Sequence, residues 1–202
     1  MATESAERAG VELPTEAAGG REQLRATAAR CWQGACSWRA ARAYAVGLYA
    51  DTSASGASLD PEAPEASGGG VGRRLVLRMA RSVRGDTIAR HLRRDLRAAS
   101  APSDSAARLA SSLDLGSHTR LPERSTVELF VAPGGETVAS TDGRIRCMID
   151  DGGELGRALL IAFLGEHSHY ARHSLTQFQP IDSIHAPNAR PRLRGGATSA
   201  HE

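Results

Sequence analysis

One stretch in the first half of the chain has the composition of a cleft wall. Residues 41–50 are crowded with apolar and aromatic side chains and are interrupted by one glycine, Gly47. Arg30 precedes this stretch, on the predicted strand 24–30. A guanidinium offers a planar fork of N–H donors that fits a carboxylate. An arginine on the strand before an aromatic, glycine-containing strand indicates a cleft rather than plain core.

A second candidate is a carboxylate on an otherwise apolar helix face. Residues 87–99 have the periodicity of an amphipathic helix, and Asp86 is a plausible N-cap. At about 100° per residue, Asp95 falls on the same face as Ile88 and Leu92. A carboxylate in that position needs a partner or a wet cleft. We therefore leave two interpretations open: Asp95 lines a ligand cleft, or it neutralises a buried cation such as Arg30.

Three histidines near the end of the sequence could bind a metal. His169 and His173 lie four residues apart on a possible short helix at 168–177 and could share a zinc ion, with His167 nearby. No cysteine or acidic motif completes this set, and histidines in such surface positions are ordinary. We therefore expect neither a metal nor a cofactor.

The composition excludes several classes of function. The 202-residue chain fits one domain, and its 41% hydrophobic residues permit a real core. It has no lysine, which rules out a Schiff-base lysine and a lysine-bearing phosphate loop. The net charge of +2 is too small to indicate a nucleic-acid partner, and the arginine stripe on the helix back lacks interleaved aromatic residues.

The sequence also gives an expectation about the cellular setting. No apolar run reaches the roughly 18 residues of a membrane-spanning helix, and the first residues lack the apolar centre of a secretory signal. The three cysteines are sparse and form no CxxC pair, which favours a reduced, intracellular setting, cytoplasmic or plastid.

The pattern of elements predicts an α+β domain. Strands come first, then a helix pair, a strand meander at 125–149 and a helix at 154–164 that is apolar nearly all round and therefore buried. This order is typical of an antiparallel sheet covered on one face. We expect disorder at 1–8, one domain at 9–180, a flexible insertion at 51–72 and a disordered tail at 186–202.

The chain resembles the chalcone isomerase family from about residue 10 to residue 177. The resemblance rests on Gly10-Val-Glu-Leu-Pro14, the segment ending at Arg30, the strand Tyr44-Ala-Val-Gly-Leu-Tyr49 and the late block from Val127 to Gly165. It implies an open-faced β-sandwich, with a large antiparallel sheet covered by a helical layer and a ligand cleft between them. The family includes chalcone cyclases, fatty-acid-binding relatives and members of other function.

The resemblance also implies roles for five residues. Arg30 matches the cleft arginine that faces the anionic or carbonyl end of the ligand. Tyr44 replaces a threonine of the cyclases and is similar to a carboxylate-binding tyrosine of the fatty-acid-binding branch. Ile88, or alternatively Thr87, falls at the catalytic tyrosine of the cyclases. Asp95 falls at their asparagine and Ala162 at a small hydroxyl residue.

Two functions follow from these matches. The first is a non-catalytic binder of a fatty acid or similar amphipathic carboxylate, in which Arg30 and Tyr44 hold the polar end and aliphatic residues hold the tail. The alternative is an intramolecular lyase of the chalcone-to-flavanone type, with a flavonoid-like ligand and Arg30 stabilising enolate charge. The lost tyrosine and hydroxyl groups favour the binder.

Overall fold

The computed structural model describes residues 5–8, 11–14, 16–17, 21–31, 42–51, 72–164 and 179–180. In this part of the chain the strands are β1 (Ser5–Arg8), β2 (Val11–Pro14), β3 (Glu16–Ala17), β4 (Glu22–Cys31), β5 (Arg42–Asp51), β6 (Arg73–Met79), β7 (Val83–Arg84), β8 (Arg120–Leu121), β9 (Thr126–Val131), β10 (Thr137–Thr141), β11 (Arg144–Ile149) and β12 (Gln179–Pro180). The helices are α1 (Gly85–Ala98), α2 (Ser103–Ser112) and α3 (Glu154–Leu164).

Eight of these strands form one open antiparallel sheet in the order β11-β10-β9-β6-β5-β4-β12, with β3 also paired to β4. The tight connections of β9, β10 and β11 produce the predicted meander, and Asp142 and Gly143 form the turn between the last two strands. β1 with β2, and β7 with β8, form two smaller antiparallel sheets.

The main core lies between one face of the large sheet, which we call the inner face, and the helices. Along β6 every second side chain is buried, and Leu75, Leu77 and Met79 join the core that α1 and α3 complete. α3 is buried as predicted, because its apolar residues surround the helix instead of forming one stripe. The predicted α+β architecture, a sheet with a helical layer on one face, is thus confirmed.

The opposite face of the sheet, the outer face, has a smaller core beneath β2. Leu13 packs there with Leu24, Ala45 and Tyr49. Gly47 lies on this face, where an added Cβ would come within 2.9 Å of the Leu24 and Tyr49 side chains. A residue with a side chain would therefore not fit at this position without a shift of its neighbours. Ser5–Arg8 pairs with β2 although residues 1–8 are predicted to be disordered; strand pairing is a contact that composition does not detect.

The bounds of α3 coincide with the predicted ones, and the meander begins one residue later than predicted. The start of α1 is an exception. The helix begins at Gly85, whose N–H bonds to the carbonyl of Thr119, so Asp86 lies in the first turn and is not the N-cap. Its carboxylate accepts instead from Arg84 and Arg90. An acidic side chain in the first turn still favours the helix, through the helix dipole.

Three predictions concern residues outside the described part of the chain. They are the insertion predicted at 51–72, the possible helix at 168–177 with its histidines, and the tail at 186–202. Of the insertion, the described part of the chain includes only Asp51, which ends β5, and Gly72. Among the helices that are described, none combines the length and the apolar character needed to span a bilayer.

Gly156 sets how closely α3 approaches the sheet. A Cβ at this position would lie 2.5 Å from Cγ1 of Val131 on β9. Helix propensity alone would make Gly156→Ala stabilising by about 1 kcal/mol, but overpacking typically costs about 1–3 kcal/mol. We expect a net loss of about 1 kcal/mol in the free energy of unfolding, measured by urea denaturation.

Arg157→Ala, at the exposed neighbouring position of α3, is the control and is expected to change stability by less than about 0.5 kcal/mol. A Gly156→Ala protein more stable than the wild type would show that the helix can move away from β9 without loss.

Candidate functional site

Arg30 and Tyr44 lie directly opposite each other on β4 and β5. Their side chains are 4% and 1% exposed, and Tyr44 belongs to the main core on the inner face. The regular pairing of β4 with β5 shifts immediately after Arg30. Such irregularities redirect side chains and are common beside functional sites. The two residues that the sequence singles out are therefore neighbours, buried between the sheet and the helices.

Asp95 on α1 is the buried partner of Arg30. Its Oδ2 accepts a hydrogen bond from Nη1 of Arg30 at 3.0 Å, and both side chains are 4% exposed. The other oxygen, Oδ1, accepts from Nε and Nη2 of Arg94 at 3.2 and 3.3 Å, at the protein surface. Asp95 and Arg30 thus form a buried ion pair that joins the sheet to α1, as one of the two interpretations of Asp95 predicts.

His91 is a member of this group that the sequence analysis missed. Its Nδ1 lies 3.3 Å from the hydroxyl oxygen of Tyr44, and the two ring centroids are 6.0 Å apart. His91 precedes Asp95 by four residues, so one helical turn places both on the same side of α1. The four-residue spacing from Asp95 was therefore the feature of the sequence that could have identified His91 as a member of the site. We call Arg30, Tyr44, His91 and Asp95 the polar cluster.

Burial dominates the electrostatics of the polar cluster. It lowers the pKa of His91 from 6.5 to about 4, with further lowering by the positive charges of Arg30 and Arg90. Burial also raises the pKa of Asp95 from 3.8 to about 6, although the charge and the hydrogen bond of Arg30 oppose the shift. At neutral pH the cluster therefore contains one cation, one carboxylate and two neutral ring groups.

Ile88 and Ala162, the other two residues implied by the resemblance, are core residues. Ile88 is fully buried on α1, one turn before His91, and Ala162 is 5% exposed on α3. Both belong to the apolar core between the sheet and the helices. They contribute alkyl surface and have no proton to donate or accept.

The outer face shows the same residue types in a different arrangement. Tyr49 is five residues after Tyr44 on β5, and its hydroxyl donates to the carbonyl of Pro14 at 2.8 Å. Arg74 bonds to Glu22 through Nε and Nη2 at 2.7 and 3.2 Å, and to Glu128 through Nη1 at 2.7 Å. The aromatic and basic residues there hold strands together and form no part of the polar cluster.

An open antiparallel sheet with helices over one face is the chalcone isomerase-like fold, as the sequence resemblance implied. The solved structure of a fatty-acid binding protein from Arabidopsis thaliana has this fold in common with the chain, with a TM-score of 0.61. The two share 14% sequence identity over 84% of this chain and 95% of the plant protein. No protein-family model and no curated protein sequence matches the chain.

The raised pKa of Asp95 predicts a specific pH dependence of stability. The folded state binds this proton more tightly than the unfolded state, so the contribution of Asp95 to stability is full below pH 3.8 and is lost as pH rises through about 6. The shift corresponds to about 3 kcal/mol. Asp95→Asn removes this loss, so we expect the unfolding free energy of the variant to rise relative to wild type by up to about 3 kcal/mol between pH 4 and pH 7.

Urea denaturation of both proteins at each pH measures the difference and cancels the other titrating groups. Asp86→Asn is the matched control, because it removes a carboxylate from the first turn of the same helix. A difference between Asp95→Asn and wild type that stays constant or shrinks with rising pH would contradict the raised pKa.

Proposed function

We propose that this chain binds an amphipathic carboxylate of the fatty-acid class between the inner face of the sheet and the helical layer. The observation that carries the proposal is the Arg30–Asp95 pair. A guanidinium in the main core is already oriented toward a carboxylate, with an N–O distance of 3.0 Å. The carboxylate of Asp95 thus binds Arg30 in the way proposed for the carboxylate head group of the ligand. Tyr44, directly opposite Arg30, adds a neutral hydroxyl.

One guanidinium can hold two carboxylates, and Arg74 does so on the outer face. In the buried polar cluster a second anion would leave an uncompensated negative charge, which is costly in a poorly solvated site. Protonation of Asp95, whose pKa is about 6, removes that charge. Ligand binding should therefore be coupled either to uptake of a proton by Asp95 or to its displacement from Arg30.

The inner face beside Arg30 is suited to an aliphatic tail. On β4 the buried residues before Arg30 are small, Ala26 and Ala28, whereas β6 carries leucines at its inner positions. Small side chains under the helical layer favour an alkyl chain packed there, and each buried CH₂ contributes about 0.8 kcal/mol. The fatty-acid binding protein of the same fold is consistent with this class of ligand.

The alternative, an intramolecular lyase, has less support. Ile88 and Ala162 lack the hydroxyl groups that the resemblance to the cyclases implies at their positions, and the charge of Arg30 is already compensated by Asp95. Such preorganised donors usually contribute most of the stabilisation of a developing oxyanion. A binding role needs only the donors that are present.

The first test is titration calorimetry with dodecanoate and with dodecan-1-ol. We expect saturable binding of dodecanoate. Arg30→Ala alone would strand Asp95 as an unpaired buried charge, at a cost of about 3–5 kcal/mol, so the informative variant is the double replacement Arg30→Met with Asp95→Leu. It should lose at least about tenfold in dodecanoate affinity, equal to about 1.4 kcal/mol, and little for the alcohol.

Tyr49→Phe is the matched control, because it removes a tyrosine hydroxyl from the outer face of the same strand. Its affinity for dodecanoate should equal that of the wild type. The proposal fails if wild-type protein shows no saturable binding, or if the double variant binds dodecanoate as tightly as the wild type.

The second test uses dodecane-1-sulfonate, whose head group stays ionised throughout the pH range. Asp95 competes with it for Arg30, and the protonated fraction of a carboxyl with a pKa of about 6 rises from about 1% at pH 8 to about 50% at pH 6. The wild-type affinity should therefore rise by roughly 50-fold as pH falls from 8 to 6, with one proton taken up. Asp95→Asn should bind more tightly at pH 8 and show little pH dependence. Equal pH profiles for the two proteins would exclude Asp95 as the competitor.

A further inference from the structure

The contact between His91 and Tyr44 determines which way the tyrosine hydroxyl donates. Neutral imidazole carries one N–H, on either Nδ1 or Nε2. If Nε2 carries it, Nδ1 accepts the hydrogen bond and the Tyr44 proton points at His91. If Nδ1 carries it, His91 donates to the Tyr44 oxygen, and the hydroxyl proton is directed elsewhere. The 3.3 Å contact between Nδ1 and the hydroxyl permits both arrangements.

We propose that His91 is a positioning residue that makes the site selective for carboxylates. A bound carboxylate only accepts hydrogen bonds, so it selects the arrangement in which Nδ1–H of His91 donates to Tyr44 and Tyr44 donates to the ligand. A linked chain of donors is stronger than the separate bonds, because each bond polarises the next. This inference rests on the proposed function and assigns the selectivity of the same site.

The surroundings of His91 keep it in the neutral form that this role requires. It is partly buried on α1, and the cations Arg30 and Arg90 lie close enough to disfavour a second proton on the ring. Asp95, one turn further along α1, directs its Oδ2 at Arg30 and its Oδ1 at Arg94. His91 is therefore left as a neutral donor for Tyr44 rather than as a counter-ion for the ligand.

Two nearly isosteric replacements separate the donor from the shape of the side chain. In asparagine the amide nitrogen is as many bonds from the backbone as Nδ1, so His91→Asn keeps a donor near Tyr44, while His91→Leu has a similar shape and none. We expect His91→Leu to bind dodecanoate about 3- to 10-fold more weakly, as for loss of one hydrogen bond, and His91→Asn to stay within about twofold of wild type. Binding of dodecan-1-ol should change in neither, because a hydroxyl group can donate as well as accept.

A double-mutant cycle with Tyr44→Phe tests whether His91 acts through Tyr44. In the Tyr44→Phe background, His91→Leu should cost no more than about twofold in dodecanoate affinity. A direct readout is the ¹⁵N spectrum of the His91 ring, in which dodecanoate should increase the population protonated at Nδ1. Thermal unfolding of each variant checks that it is folded before binding is measured.

The outcomes separate this inference from the proposed function. Wild-type binding that depends on Arg30 but is unchanged in His91→Leu overturns the role of His91 and leaves the proposed function standing. An equal loss in His91→Leu with and without the Tyr44 hydroxyl also overturns it, because the effect is then structural. No binding of dodecanoate by the wild type overturns both.

Discussion

The buried ion pair between Arg30 and Asp95 is the constraint that ties the sheet to the helical layer. Each charge is nearly excluded from water, so neither would be tolerated there without the other. The pair links α1 to β4 beside the apolar contacts of the same helix in the main core. His91 then comes to lie over Tyr44 as a consequence of the helical repeat. The Arg30–Asp95 ion pair and the helical repeat of α1 together therefore bring the four residues of the polar cluster into contact.

The same burial gives the two titrating groups of the cluster opposite responses to acid. Between about pH 4 and pH 6, Asp95 gains a proton that the folded state favours, whereas His91 resists a proton that the unfolded state would accept. Their contributions to stability therefore change in opposite directions and largely offset each other. The protein can thus remain folded while the charge of the polar cluster changes. The proposed coupling of ligand binding to protonation of Asp95 requires this.

Sequence periodicity predicted several helices and strands, and it singled out Asp95 on α1 as a member of the polar cluster. The strand pattern predicted the meander and the all-round apolar pattern predicted α3, because burial of those elements is decided locally. Asp95 was predicted to need a partner because its place on a helix face conflicts with its charge. The identity of that partner depends on the packing of α1 over β4, 65 residues away in the chain, which no local pattern encodes. His91 was missed for a related reason: a histidine fits an apolar face or a polar one, so only its contact with Tyr44 reveals its role.

The two faces of β5 show why residue type alone does not identify a site. Tyr44 and Tyr49 are separated by an odd number of residues, so the pleat sends them to opposite faces. Two arginines next to this strand differ in the same way. Arg74 on the outer face is partly exposed and pairs with two glutamates, whose combined negative charge already exceeds its own positive charge and disfavours a further anion. Arg30 is buried and pairs with Asp95, whose pKa of about 6 lies near neutrality, so under the proposed function an incoming carboxylate takes over the guanidinium as Asp95 is protonated. Under the proposed function, Arg30 therefore differs from the structural Arg74 in how readily its counter-ion can be neutralised.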